Sequence, residues 1–248
     1  MKLNNLLLIG SIVISVIFSS CKKNEDDSST PSNDPIETTG TFTDSRDGKI
    51  YKWVKIGEQI WMAENLAYTG SDIQHITDNN EWDNNDYNGW CYYNNSDSLG
   101  QIYGVLYQWH AAKTACPSGW HIPTNDEWTK LKNYLIENGY SYDGVIGNHG
   151  IAKSLATDSG WLISDNQGAV GNSDFSEYRN KTGFSALPSG NRTFNGSFDG
   201  LSHIVFFWST DECCSYGSYC NYLNYSTEKV TYAPYEKVFG YSVRCIRD

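Results

Sequence analysis

Three stretches of the sequence carry residue types that could do chemistry. In CPSGWHIPTNDEW, Cys116 to Trp128, a thiol and an imidazole lie close together along the chain. A histidine acts as general acid or base when a nucleophile or carboxylate meets it in a cleft. His121 instead lies in a strand-like step between Trp120 and Ile122, just ahead of a helix start, and reads as a packing residue. His75, His110, His149 and His203 are scattered, with no HxxxH or HExxH spacing to set two on one helical face. In ECCSYGSYC the thiols of Cys213, Cys214 and Cys220 lack the CxxC spacing of a zinc site and have no nearby histidine. In DNNDYNGW, Asn84, Asp86, Asn88 and Gly89 follow the start of a calcium loop, but Asn replaces the leading Asp. The closing bidentate Glu is replaced as well, by Asn95. A solvated polar loop is expected at DNNDYNGW in preference to a calcium site near Asn84 to Asn95, and no metal, cofactor or catalytic residue is assigned.

The remaining candidates are rings. The chain holds 9 Trp, 18 Tyr and 9 Phe against two Met, so its core must be built largely from aromatic side chains. Rings in loops rich in Asn and Asp stack on sugar faces and place hydrogen-bonding groups around hydroxyls. Trp82, Tyr87, Trp90, Trp161 and Tyr178 stand in such loops. Core packing is preferred for Trp90, which leaves Trp82, Tyr87, Trp161 and Tyr178 as the ligand-binding candidates.

Strands and helices must position these residues. GKIYKWVKIGEQIWMAENL is rich in β-branched and aromatic residues broken by Gly57-Glu58, which predicts a hairpin of strands near 50–56 and 59–63. Thr69 to Asn88 reads as a loop, and GWCYYNN, Gly89 to Asn95, as a short strand. Val105, Leu106, Trp109 and Ala112 share one face at helical spacing, so a helix is expected from about Tyr103 until Cys116-Pro117 ends it. Thr124 and Glu127 form a capping box for a second helix, with Trp128, Leu131 and Leu135 as its buried stripe and Asn138-Gly139 as its stop. Beyond Gly139 only short aromatic strands stand among Gly, Asn, Ser and Asp. Long irregular connections of that kind are usually functional or held by cross-links.

At the other end, Lys2 precedes an apolar run from Leu6 to Phe18, followed by Ser19, Ser20 and Cys21. The run is shorter than the roughly 20 residues that span a bilayer, and small residues before the cysteine suit a cleavage site. Residues 1–20 therefore resemble a bacterial lipoprotein signal, with Cys21 as the lipidated residue. Residues 21–42 form a polar tether that cannot build a core. Lys22 and Lys23 followed by Glu25, Asp26 and Asp27 are similar to the export tags of surface lipoproteins of the Bacteroidota. These features predict an outer-membrane location, lipid-anchored and surface-exposed, with the membrane as one partner. With Lys2 removed, 18 basic residues become 17 against 29 acidic ones, and the net charge of −11 becomes −12. Such a surface argues against a nucleic-acid partner, which needs a basic patch. Six cysteines remain after lipidation: Cys91, Cys116, Cys213, Cys214, Cys220 and Cys245. An even number in an exported domain favours disulfides, but the pairing stays open.

DGKIYKWVKIGEQIWMAENL, GWCYYNN, YGVLYQWHAAKTACPSGWHIPTNDEW, GFSALPSGNR, FFWST and GYSVRCIRD, in this order, resemble the Fibrobacter succinogenes major paralogous domain. The likeness spans residues 43–248, one domain. In that family's pattern the cysteines of CPSGWH and VRC recur together, which implies a bridge between Cys116 and Cys245. GWHIPTNDEW and GYSVRC are also similar to parts of the C-type-lectin-like fold used by formylglycine-generating enzymes. This second likeness implies an α+β domain in which two helices flank a small twisted antiparallel sheet with long irregular loops. Calcium-dependent lectins carry Glu-Pro-Asn and Trp-Asn-Asp motifs, and neither occurs here. Formylglycine-generating enzymes hold copper through a late cysteine pair, and CCSYGSYC lies in a comparable region with different spacing. The expectation is thus a non-enzymatic surface module that binds or adheres, with a glycan or a surface protein as partner. An envelope assembly role, or a copper-dependent oxidase, stands as the alternative.

Overall fold

The computed structural model describes residues 38–83 and 86–248. The signal, Cys21, most of the tether and Asn84 lie outside the described residues. The chain runs through β1 (Thr39–Thr43), β2 (Ile50–Ile56), β3 (Gln59–Met62), β4 (Gln74–His75), α1 (Asn79–Asp83) and β5 (Gly89–Cys91). It continues through α2 (Asp97–Tyr103), β6 (Leu106–Tyr107), α3 (Trp109–Ala115), β7 (Trp120–His121), α4 (Asn125–Glu137) and α5 (Ala152–Leu155). The last part is all strand: β8 (Ser189–Arg192), β9 (Phe198–Leu201), β10 (Ile204–Cys214), β11 (Gly217–Asn224), β12 (Thr231–Glu236) and β13 (Ile246–Arg247).

These strands make three sheets, ordered β1-β2-β3-β13-β7, β12-β11-β10-β8-β9 and β4-β5-β6. The expectation of two helices flanking one small sheet is therefore wrong: the described residues hold thirteen strands and only five short helices. The physical reason lies mainly after residue 189. Residues 205–209 of β10 are all buried, with Phe206 and Trp208 packed in one apolar cluster and Val205 and Phe207 in another. The long pairing of β10 with β11, from Ile204↔Asn224 to Cys214↔Gly217, supplies a second full sheet.

Local expectations fare unevenly. The hairpin forms with Ile56 opposite Gln59. The helix expected from Tyr103 is split: α2 ends at Gly104, whose φ of 79° leaves helical space, and β6 intervenes before α3 begins at Trp109. α4 starts at Thr124 with both halves of the capping box formed, and buries Trp128, Leu131 and Leu135. The segment read as a loop over Thr69 to Asn88 contains β4 and α1. The stretch assigned to the tether up to residue 42 enters the first sheet, because Phe42 stacks on Trp120 at 4.4 Å and on Tyr51 at 5.6 Å.

Two contacts close this framework. Cys116 and Cys245 are bridged, with Cα atoms 6.0 Å apart and a sequence separation of 129. Beside the bridge, the fully buried Arg244 donates to Met62 O at 3.2 Å, Asn65 Oδ1 at 2.6 Å and Ser185 O at 3.3 Å, and also to Phe184 O. Its guanidinium lies 4.4 Å from the centre of the Phe184 ring.

Replacing both bridge cysteines with serine is expected to lower the unfolding free energy by about 2–5 kcal/mol, since the closed loop is long. A urea titration whose midpoint does not move would refute this. Arg244→Leu keeps the bulk but removes the donor of four oxygen acceptors, and since each buried acceptor left unsatisfied costs about 1–3 kcal/mol, a loss of about 3 kcal/mol or more is expected. The same titration reads it out.

Candidate functional site

The structure separates the four aromatic candidates. Trp82 is fully buried, with the Arg192 guanidinium 4.3 Å from its ring centre, so it is a core residue and faces no ligand. Trp90 is also buried, with the His75 ring stacked on it at 4.1 Å. Tyr87 is half-buried against the cluster that holds Trp82, and its ring meets His110 at 5.7 Å. Tyr178 lies in a short 3-10 turn with the Lys181 ammonium 4.2 Å over its ring.

Trp161 lines a groove of about 540 Å³. Asp158, Ser173, Ser176 and Arg179 line it with the indole, and Ile163, 87% exposed, stands on its rim. One residue sets both principal side chains. The Thr157 hydroxyl accepts from Trp161 Nε1 at 3.2 Å, and the Thr157 carbonyl accepts from Arg179 Nη1 at 3.4 Å. Arg179 Nη2 donates to Asn172 O at 2.7 Å. Burial pulls the guanidinium below its ordinary value, against the pull of Asp158 and Asp174. None of the ion pairs among the described residues involves Arg179.

The opposite wall, residues 170–176, is held from beneath. Lys153 is fully buried and donates to Asn172 O at 3.0 Å and to the carbonyl and carboxylate of Asp174. Asp174 Oδ2 accepts in turn from Gly168 N at 2.8 Å. The groove thus offers an apolar indole face beside a fixed guanidinium, a carboxylate and two hydroxyls. A larger cleft of about 580 Å³ runs along β1 and β2. Its rings, Tyr51 and Trp53, are buried in the core and present no comparable face.

The other two stretches weighed for metal binding do not gather ligands. In the calcium-like stretch, Asp86 O meets His110 Nδ1 at 2.5 Å, Gly89 N donates to Gln108 Oε1 at 2.8 Å and Asn95 Nδ2 donates to Thr77 O at 3.2 Å. The described residues hold no group of three or more His, Cys, Asp or Glu that could take a metal ion. The cysteines of ECCSYGSYC also part company. Cys220 is buried opposite Trp208, whereas Cys213 and Cys214 lie at the far end of the hairpin with their sulfurs 3.2 Å apart. Cys91 is buried as well, and burial pushes its thiol up to about 12 against the pull of Arg192.

His121 has partners that its sequence neighbours only half reveal. Its Nδ1 meets Asp248 Oδ1 at 2.6 Å and its Nε2 meets Glu127 Oε1 at 3.0 Å. Glu127 was readable as the capping residue; Asp248 arrives only because β13 pairs with β7. Both ring nitrogens are engaged, so the imidazole ties the chain's last residue to the start of α4.

Together these features define a disulfide-closed, β-rich domain with an aromatic core and a groove that combines a half-buried indole with fixed polar groups. The chain belongs to the Fibrobacter succinogenes major domain family, whose sequence model matches residues 54–247. No curated protein and no solved structure matches it.

The His121 contacts generate a pH dependence. Burial opposes the charged ring, but the hydrogen bonds to Asp248 and Glu127 outweigh it and raise the His121 value. Burial likewise opposes the Glu127 carboxylate, and the Thr124 N–H and His121 outweigh it and lower its value. The histidine's contribution is full below its unfolded value of about 6.5 and is lost as pH rises through the higher folded value. The Glu127 contribution is present above about 4.3 and lost as pH falls through its lower folded value. His121→Ala should therefore cost most between about pH 4.5 and 6.5. A drop in Tm of about 2–4 °C corresponds to about 1 kcal/mol, allowing for solvent screening of this half-exposed cluster. Parallel melts of both proteins from pH 4 to 9 check it: a constant difference would refute the linkage.

Proposed function

We propose that this protein is a non-enzymatic binding module that takes a saccharide ring in the groove beside Trp161, displayed on the outer membrane by a lipid on Cys21. The observation that carries the reading is the joint fixing of Trp161 and Arg179 by Thr157. A sugar ring has an apolar face for the indole and hydroxyls for a planar fork of donors, and groups fixed beforehand lose little entropy on binding. Ser173, Ser176 and Asp158 add a donor-acceptor rim suited to further hydroxyls. The lipid anchor and the surface location are supported by the Leu6 to Cys21 stretch and the acidic tether.

A second reading, an envelope assembly role, draws support from Leu162 and Ile163, two exposed apolar residues on the groove's edge. Here the groove would grip a protein loop in place of a sugar.

A glycan array probed with the protein lacking residues 1–36 separates the two. Selective glycan signals support the first reading, and a blank array favours protein partners. For a glycan that scores, Trp161→Ala is expected to weaken binding more than tenfold, about 1.4 kcal/mol or more, while Trp161→Phe retains part of it. Arg179→Met should weaken the same glycan without lowering Tm by more than a few degrees. Titration by tryptophan fluorescence measures all three, and unchanged affinity in Trp161→Ala would sink the assignment of the site.

A further inference from the structure

Consecutive residues of a regular strand point to opposite faces of the sheet. At the end of β10 they do not. The pairing of β10 with β11 shifts register between Trp208 and Glu212 and again between Glu212 and Cys214. This irregularity brings the neighbouring side chains of Cys213 and Cys214 together, Sγ to Sγ, at 3.2 Å. Gly217 completes the arrangement: a Cβ there would stand 2.7 Å from Cys213 Sγ and 3.2 Å from Cys214 Sγ, so only glycine leaves the pair its room. The strand is pinned alongside, where the buried Lys237 ammonium meets Glu212 Oε2 at 2.5 Å and Ser215 O at 2.8 Å. Access is open. Both sulfurs line a cleft of about 390 Å³ with Tyr216, Tyr235 and Phe239, and Tyr216 is 63% exposed.

We propose that Cys213 and Cys214 form a vicinal dithiol that exchanges with external disulfides and closes reversibly into a ring through the peptide bond between them. The sulfurs need to approach by only about 1.2 Å to reach the disulfide bond length. Adjacent Cα atoms lie about 3.8 Å apart across a trans peptide. That is below the span of roughly 4.4–6.8 Å usual for disulfides, and such rings are the more easily reduced. The ring is therefore reversible, whereas Cys116 and Cys245, with Cα atoms 6.0 Å apart, span an ordinary distance.

The chemistry balances with a low-molecular-weight disulfide, RSSR, as oxidant. The Cys214 thiolate attacks one sulfur of RSSR, forming a mixed disulfide and releasing RS−. The Cys213 thiolate then attacks Cys214 Sγ, forms the Sγ–Sγ bond and expels the second RS−. The two protons lost by the protein end on the two thiolates released, so RSSR gains two electrons as the dithiol loses them. Cys214 is the first attacker because the Cys213 thiol, the backbone N–H groups of Tyr216 and Gly217 and the Tyr216 hydroxyl favour its thiolate. Cys213 is shifted the other way, by burial and by its neighbour. Buried Cys91 and Cys220 take no part, since an attacking thiol needs both thiolate character and access.

The test uses the full chain, treated first with reduced glutathione and then with oxidised glutathione. After each step the protein is alkylated with iodoacetamide, digested and read by mass spectrometry. The peptide bearing both cysteines should carry two alkyl groups when reduced. After oxidation it should carry none and be lighter by two hydrogens than the unmodified dithiol. A second exposure to reduced glutathione should restore both alkylation sites while Cys116 and Cys245 stay linked. Cys213→Ser should stop at a stable glutathione adduct on Cys214, and this variant should melt close to the parent because Cys213 is exposed. Persistent double alkylation after oxidation, or one glutathione held on each sulfur of the parent protein, would overturn the proposal.

Discussion

The structure depends most on a buried cation that has no buried anion beside it. Arg244 is fully enclosed, stacked between Phe184 and Phe207 with ring centres 4.4 and 5.2 Å away. Burial pulls its guanidinium down to about 9, against the distant pull of Glu64, which still leaves it charged at neutral pH. Its partners are oxygen atoms of the chain itself: Met62 O, Phe184 O, Ser185 O and the side chain of Asn65. Buried carbonyls without a strand partner are costly, and so is a buried charge without acceptors. Joined, each removes the other's penalty. The segments so joined are the end of β3, the turn before β8 and the approach to the last strand; β3 and the last strand are also paired in the first sheet, so what Arg244 adds is the tie to the turn at 184–185.

Other buried cations tie irregular segments together, Lys153 and Lys237 with a carboxylate among their partners. Arg192 is fully buried and donates to Ile76 O at 2.6 Å, Thr77 O at 3.0 Å and Gly196 O at 3.1 Å, tying the segment before α1 to β8. Lys153 gathers Asn172 and Asp174. Lys237 holds the end of the β10–β11 hairpin. Long loops are tolerated in a compact domain when they are held in place. Here that hold comes more from cation-to-carbonyl contacts than from disulfides. The Trp161 groove inherits its stiffness from this arrangement, because its wall at 170–176 rests on the Lys153 ammonium.

What was legible in the sequence follows the range of the interactions. The capping box of Thr124 and Glu127, the stripe of Trp128, Leu131 and Leu135 and the hairpin at Gly57-Glu58 are local, and each formed as read. The Cys116–Cys245 bridge was legible only through family likeness. The second sheet was not: its segments read as short aromatic strands, but nothing local states which partner each takes, and β10 pairs with β11 on one side and with β8, in parallel, on the other. Trp82 and Trp161 show the limit most plainly. Both stand among Asp, Asn and Gly, yet one is sealed beneath Arg192 and the other lines a groove. A tertiary contact with Arg192 decides the fate of Trp82, whereas Trp161 is fixed by a bond to Thr157 four residues before it. Arg192 carried no local signal, since a lone Arg in a polar stretch reads as solvated.

The division between staple and rim also bears on what can vary. Arg244, Arg192 and Lys153 each satisfy acceptors on segments remote in sequence, so losing one exposes several buried carbonyls at once. Asp158, Ser173, Ser176 and Ile163 are exposed and anchor nothing comparable. Substitutions among exposed residues of this sort typically change stability by about 0.5 kcal/mol or less. The groove's chemistry can therefore be rewritten, an acid for a hydroxyl or a ring for an aliphatic side chain, while the cations beneath hold its walls in place. Trp161 and Arg179 lie between these extremes: each is half-buried and fixed to Thr157, so a change there alters the ligand face and the wall behind it together.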